Sequence, residues 1–169
     1  MLVNRARRKD IGAMRTLYER YAKEMLATSY RITNDLQGSE DILQEAFLDA
    51  FEKIGQLKDG NRFAVWLKRI MINKSLASIK RRVYFEEVDS VMDLPEDEVV
   101  VPLGYSFADL QSMIQELPEG CRQVFSLYLL DDYKHKEIAE LLDISVSTSK
   151  SQYRYAIKLL RDKLSQAKQ

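Results

Sequence analysis

Cysteine, proline and glycine are scarce in this chain of 169 residues, which holds one cysteine, three prolines and six glycines. A lone Cys121 excludes an intrachain disulfide, as suits a reducing compartment, and its simplest role is that of a small core residue. With so few turn-forming residues and few β-branched runs, no strand is expected. His135 is the single histidine. No Cys/His/carboxylate cluster has metal-ligand spacing, and there is neither a glycine-rich phosphate loop nor a nucleophile elbow, so an enzyme is not expected and no cofactor or metal is called for. His135 reads as a surface residue, and the adjacent Asp131 and Asp132 as turn residues. Long apolar runs are missing as well. None approaches the roughly 20 residues of a membrane-spanning helix, and the basic N-terminus has no apolar stretch behind it, so a cytoplasmic protein without membrane insertion is expected.

Net charge is also absent, 26 Lys+Arg balancing 26 Asp+Glu, but the balance hides a division along the chain. Residues 1–82 carry 17 cations and 10 acids, residues 83–106 carry none and 7, and residues 107–169 carry 9 of each. A net +7 segment followed by a net −7 segment suggests a basic part that meets an anion and a tether that avoids or imitates that anion. Pro95 and Pro102 fall in the acidic segment, which reads as a flexible linker. The expected architecture is therefore all-α, with two small helical domains at 1–82 and 107–169 joined by an acidic linker at 83–106.

What the chain has in quantity is apolar spacing at i, i+3 and i+4. A first helix is expected over Asp10–Thr33, with Met14, Leu17, Tyr18, Tyr21, Met25, Leu26 and Tyr30 as its core stripe. Ser39 is expected to cap a second helix, with Glu40 and Asp41 in its first turn, inward-facing Ile42, Leu43, Ala46, Phe47, Ala50, Phe51 and Ile54, and Gly55 at its end. A third helix, Phe63–Arg82, places Phe63, Trp66, Leu67 and Ile70 on one apolar flank and Val65, Ile72, Leu76 and Ile79 on the other. Between the flanks Arg62, Arg69, Asn73 and Lys80 fall within an arc of roughly 40° at about 100° per residue, a basic and amide stripe that ends in Lys80-Arg81-Arg82.

After the linker, helices are expected near Phe107–Glu116, Glu119–Leu130, Lys134–Leu142 and Val146–Leu164. The last two have helix-turn-helix spacing: Ile138, Leu142 and Ile144 make apolar contacts, Ala139 is small where the second helix passes, and Asp143-Ile144-Ser145 is the turn. Ser147, Thr148, Lys150, Ser151 and Arg154 would then lie near the start of a recognition helix, where hydroxyls and cations reach base edges and phosphates. Lys134, Lys136, Lys158 and Arg161 fit phosphate contacts at its flanks. A solvated pair of helices has the same pattern.

Two motif sets together resemble RNA polymerase sigma factors of the extracytoplasmic-function (ECF) type. "LYERYAKEMLATSYRIT", "SEDILQEAFLDAFEKI" and "FAVWLKRIMINKSL" resemble the promoter-melting region two, and "LPEGCRQVFSLYLLDDYKHKEIAELLDISVSTSKSQ" resembles region four. The resemblance implies that Asp41, Gln44, Glu45 and Phe47 grip the clamp helices of the polymerase largest subunit. Taken alone, those acids also suit a solvated face and Phe47 a core. It implies that the 57–62 loop, with Arg62, Trp66, Arg69, Asn73, Lys80, Arg81 and Arg82, holds the non-template strand of the minus-ten element, while Trp66 alone reads as core. Region four would read the minus-thirty-five element and meet the polymerase flap. The acidic linker could imitate nucleic acid in the polymerase channel or serve as a soluble tether. An anti-sigma factor is an implied partner beside core polymerase and promoter DNA. This sequence departs from the family pattern at Ala77, Ser147, Ser149, Gln152 and Tyr155, where an acid, glycine, valine and two arginines are common. The alternative is a dimeric helix-turn-helix regulator that does not bind core polymerase.

Overall fold

A computed structural model describes residues 2–79 and 107–166, which belong to two compact helical units. The acidic segment 83–106 and the end of the basic stripe, Lys80, Arg81 and Arg82, lie outside the described residues. Every described segment is helix or connecting turn, with no strand among the described residues.

The first unit contains α1 (Leu2–Arg7), α2 (Ile11–Thr33), α3 (Leu36–Lys53) and α4 (Phe63–Ile79). Helix α1 is absent from the sequence-based expectation, because six residues are too few to display an apolar period. It buries Val3 and Ala6, and the Arg7 guanidinium donates to the carbonyls of Ile54 and Leu57, tying the chain start to the loop after α3. Asp10 caps α2 by accepting from the Ala13 N–H at 3.0 Å, and it also pairs with Arg5 at 2.8 Å. Helices α2, α3 and α4 pack pairwise around Leu17, Met25, Leu43, Phe47, Phe63, Leu67 and Met71.

Helix α2 keeps most of its expected core stripe: Leu17 and Met25 are buried, and Met14, Tyr21 and Leu26 pack against the core. Its fully buried positions include Ala13, Thr28, Ser29 and Ile32, whereas Tyr18 is exposed. Small residues let α4 approach closely enough for the Ser29 and Ser75 hydroxyls to meet at 2.8 Å. Helix α3 also begins before Ser39, with Asp35 as its cap. The Asp35 carboxylate accepts from the Gly38 N–H at 3.0 Å, and a Cβ on Gly38 would lie 2.6 Å from the same carboxylate. Ser39 is instead buried, donating to the Asp35 carbonyl at 2.6 Å, so Glu40 and Asp41 lie beyond the first turn. Gly55 sits within a 3₁₀ turn, Ile54–Gln56, that follows α3.

The second unit contains α5 (Phe107–Gln115), α6 (Glu119–Phe125), α7 (His135–Leu142) and α8 (Val146–Gln166). Helix α6 widens into a π turn over Ser126–Leu130. Ile114, Leu117, Cys121, Phe125, Ala156, Ile157 and Leu160 form its core. Asp143 adopts the left-handed conformation at φ 56°, the Ile144 N–H returns to the Ala139 carbonyl at 3.0 Å, and Ser145 caps α8 by accepting from the Thr148 N–H at 2.9 Å. Those three residues reverse the chain between α7 and α8 with its backbone groups satisfied.

Candidate functional site

Three exposed faces gather the polar residues picked from sequence. On α3, Asp41, Gln44 and Glu45 are exposed, one turn apart. Phe47 does not belong with them: it is 3% exposed and packs against Tyr18 and Phe51 at ring separations of 4.8 and 5.7 Å. Its ring is core, so a partner cannot reach it on this face. Leu48 is the exposed apolar residue at i+3 and i+4 from Glu45 and Gln44, with 70% of its surface open. Glu45 receives a 3.4 Å contact from Lys74 of α4, which also pairs with Asp49 at 3.0 Å. The Lys74 hydrogen bond holds the Asp49 carboxyl below its ordinary value, and that same pair raises Lys74.

On α4, Arg69 and Asn73 are exposed in line with Arg62, which ends a 3₁₀ turn over Gly60–Arg62. Val65 was expected on a buried flank but is 62% exposed. At about 100° per residue it lies about 60° to one side of Arg62 and Trp66 about 40° to the other. Trp66 is partly buried, 6.1 Å from Phe63 between ring centres, with the rest of its ring at the surface. The face therefore alternates cations and an amide with apolar area, which suits a strand whose backbone is charged and whose bases are flat.

On α8, Ser147 and Lys150 are exposed, and Thr148, Ser151 and Arg154 are partly buried. The Thr148 hydroxyl meets that of Ser145 at 2.8 Å, and the Ser151 hydroxyl donates to the Thr148 carbonyl at 3.0 Å, so both also hold the helix start together. Lys158 and Arg161 continue the face as exposed cations. Gln152 turns inward, 3% exposed, where its amide oxygen meets Cys121 Sγ at 2.9 Å.

His135 is not the surface residue expected. It is half-buried, with Nδ1 2.9 Å from the Ser149 hydroxyl, and it stacks on Tyr128 at 4.3 Å and meets Tyr153 edge-on at 5.8 Å. Burial, and then the neighbouring Tyr128, push the Tyr153 hydroxyl above its ordinary value. Among the described residues no helix is long and apolar enough to cross a membrane, and no three His, Cys, Asp or Glu residues gather as metal ligands.

Residues 17–83 match the family model of sigma-70 region 2, and residues 107–160 match that of sigma-70, region 4. The chain is 28% identical over 164 residues to the RNA polymerase sigma-H factor of Pseudomonas aeruginosa, covering 89% of this chain and 85% of that protein. It is 27% identical over 178 residues to the ECF RNA polymerase sigma factor SigW of Bacillus subtilis, with 96% and 94% covered. A solved structure of the sigma factor RpoE in complex with the anti-sigma factor NepR, from Bartonella quintana, is similar in fold, with a TM-score of 0.55, 16% identity, and 89% of this chain and 96% of that chain covered.

Proposed function

Because the chain belongs to the sigma-70 family as an ECF-type RNA polymerase sigma factor, which directs promoter-specific transcription initiation with core polymerase, we propose a division of that work among its exposed faces. The α3 face of Asp41, Gln44 and Glu45 grips core polymerase at the clamp helices, with Leu48 in place of Phe47 as the apolar anchor. Carboxylates and an amide around one exposed leucine offer acceptors to a basic helix and an apolar centre for the contact. The α4 face and the 57–62 loop hold the non-template strand of the minus-ten element, and Lys80, Arg81 and Arg82 are assigned to the same role from their sequence. The α8 face reads the minus-thirty-five element through Ser147, Thr148, Lys150, Ser151 and Arg154, and the second domain meets the flap.

One observation carries this reading: a single chain presents an acceptor-rich face on α3 and cation-bearing faces on α4 and α8, each exposed. The first offers acceptors and an exposed leucine to a protein partner, while the other two suit nucleic acid. The factor contributes no catalytic residue; captured bases and polymerase contacts drive strand opening. Its domains are 1–82 and 107–169, with 83–106 as the acidic tether, and it works in the cytoplasm. The RpoE relative was solved with an anti-sigma factor, and an equivalent inhibitor covering the α3 or α8 face is the partner proposed here.

Reconstitution tests the reading. The purified chain, added to a bacterial core RNA polymerase and a promoter library, should give initiation from a restricted set of templates. Gln44→Ala and Leu48→Asp should weaken core binding with the fold intact. Site-specific duplex binding as a dimer, without association with core polymerase, would sink it in favour of a helix-turn-helix regulator.

A further inference from the structure

Ser149 is fully buried where α8 crosses α7, a position that apolar side chains fill well. A hydroxyl there is costly unless it has a partner. Its partner is His135 at the first position of α7, 2.9 Å away. The imidazole is itself held by aromatic rings from two other places: Tyr128 in the π turn, stacked at 4.3 Å and 14°, and Tyr153 one turn along α8 from Ser149. Tyr153 in turn stacks on Phe125 at 6.0 Å, so the contact is anchored in the core of the unit. Tyr128 lies within the π turn, and widened turns of this kind recur at functional sites.

We infer that His135 is a positioning residue for upstream-promoter recognition, its imidazole clamping the Ser149 hydroxyl and so fixing the rotation of the recognition helix. Apolar packing is non-directional and by itself defines the rotation of a helix less sharply than an oriented bond does. A hydrogen bond from an oriented ring is directional, and Ser149 lies between Thr148 and Lys150. Rotation about α8 would swing Ser147, Lys150 and Arg154 together off the bases and phosphates they face. The Ser145 cap fixes the start of α8, and the clamp fixes the next turn.

The inference rests on the proposed role of α8 and is tested in the full chain with a bacterial core polymerase. The wild-type holoenzyme first selects an upstream element from a randomised duplex library. The measured quantity is initiation on a template with that element divided by initiation on the same template with the element scrambled, beside core affinity and thermal unfolding. Ser149→Ala and His135→Leu should each lower the ratio about tenfold at unchanged core affinity, as expected when a buried polar group loses its partner. His135→Gln, whose amide can meet the same hydroxyl, should stay within about threefold. The double variant His135→Leu with Ser149→Val replaces the polar contact by an apolar one and should regain thermal stability while the ratio stays low. A merely structural histidine would let the ratio recover together with stability.

Single variants that fold and keep the full ratio overturn the inference, as does a double variant whose ratio recovers together with its stability. Where His135→Leu does not fold, Ser149→Ala against His135→Gln decides on the same criterion. If the wild type never associates with core polymerase, the sigma reading fails by itself. The ratio is then taken from the full chain's affinity for selected over scrambled duplex, and a chain that selects no duplex overturns the clamp as well.

Discussion

The two units hold their functional helices by different means. In the first, the large buried side chains are apolar, Phe63, Met25, Leu67, Met71 and Ile72, and the buried polar groups are small hydroxyls such as Ser29 and Ser75. In the second, long polar side chains are inside: Arg122 at 4% exposure, Gln123 at 0% and Gln152 at 3%. Arg122 donates to the carbonyls of Leu117 and Gln115 at 2.9 and 3.4 Å, satisfying the chain where α5 gives way to α6. Packing places α3 and α4, whereas in the second unit the His135–Ser149 and Cys121–Gln152 contacts add directional bonds to the apolar core that holds α7 and α8. Packing tolerates small shifts in a face that grips a partner or a flexible strand, while reading base edges requires a fixed helix rotation.

That contrast breaks first under truncation. Phe63→Ala should cost about 3–5 kcal/mol, because the ring is 1% exposed and its removal leaves a cavity between α2 and α4. Trp66 is the only tryptophan and lies in the first unit, so its fluorescence reports that unit alone. Urea unfolding followed at Trp66 should shift strongly in Phe63→Ala. A shift no larger than that of a surface variant would mean that packing is not what holds this unit.

Arg122→Ala attacks the other side of the comparison. Removing the guanidinium strands the carbonyls of Leu117 and Gln115 and should cost about 1–3 kcal/mol. The loss should appear in helical circular dichroism with the Trp66 transition unmoved. A coincident shift in Trp66 fluorescence would show that the units do not unfold separately. Smaller still, Lys150→Ala should leave both transitions in place and reduce the salt slope of upstream-DNA binding by about one unit, as for loss of one phosphate contact.

The same contrast explains how much could be read from sequence. Helices α2 to α8 announce themselves through apolar period, and the helix-turn-helix through its small, apolar and turn residues, because these are local signals. Periodicity identifies a face but not its edges, which neighbouring helices set. Phe47 and Leu48 are adjacent and both apolar, yet one is 3% and the other 70% exposed, and Val65 was misplaced for the same reason. Asp35 and Ser39 are both good caps four residues apart, and it is the space at Gly38 that selects Asp35. His135 was illegible because its meaning depends on Tyr128, Ser149 and Tyr153, which only the tertiary fold brings to it.

The smallest expected effect concerns the ion pairs that supplement packing between α3 and α4. Lys74 donates to Asp49 at 3.0 Å and reaches Glu45 at 3.4 Å, while Lys53 sits 3.6 Å from Asp49. The Lys74 hydrogen bond lowers the folded-state pKa of Asp49 below its ordinary 3.8, so its contribution is in place above that value and is lost as pH falls through the depressed folded value. For Lys74, raised above 10.5 by Asp49, the contribution is present below 10.5 and disappears as pH rises through the elevated folded value. Between those limits the pairs should add little, since these side chains remain in contact with water, where screening keeps ion pairs weak. Asp49→Asn should therefore leave the Trp66 transition nearly unchanged at neutral pH and flatten its acid-side decline below about pH 4. Salt should reproduce that flattening in the wild type. A large loss at neutral pH would instead make the charges, and not the apolar core, the fastening between α3 and α4.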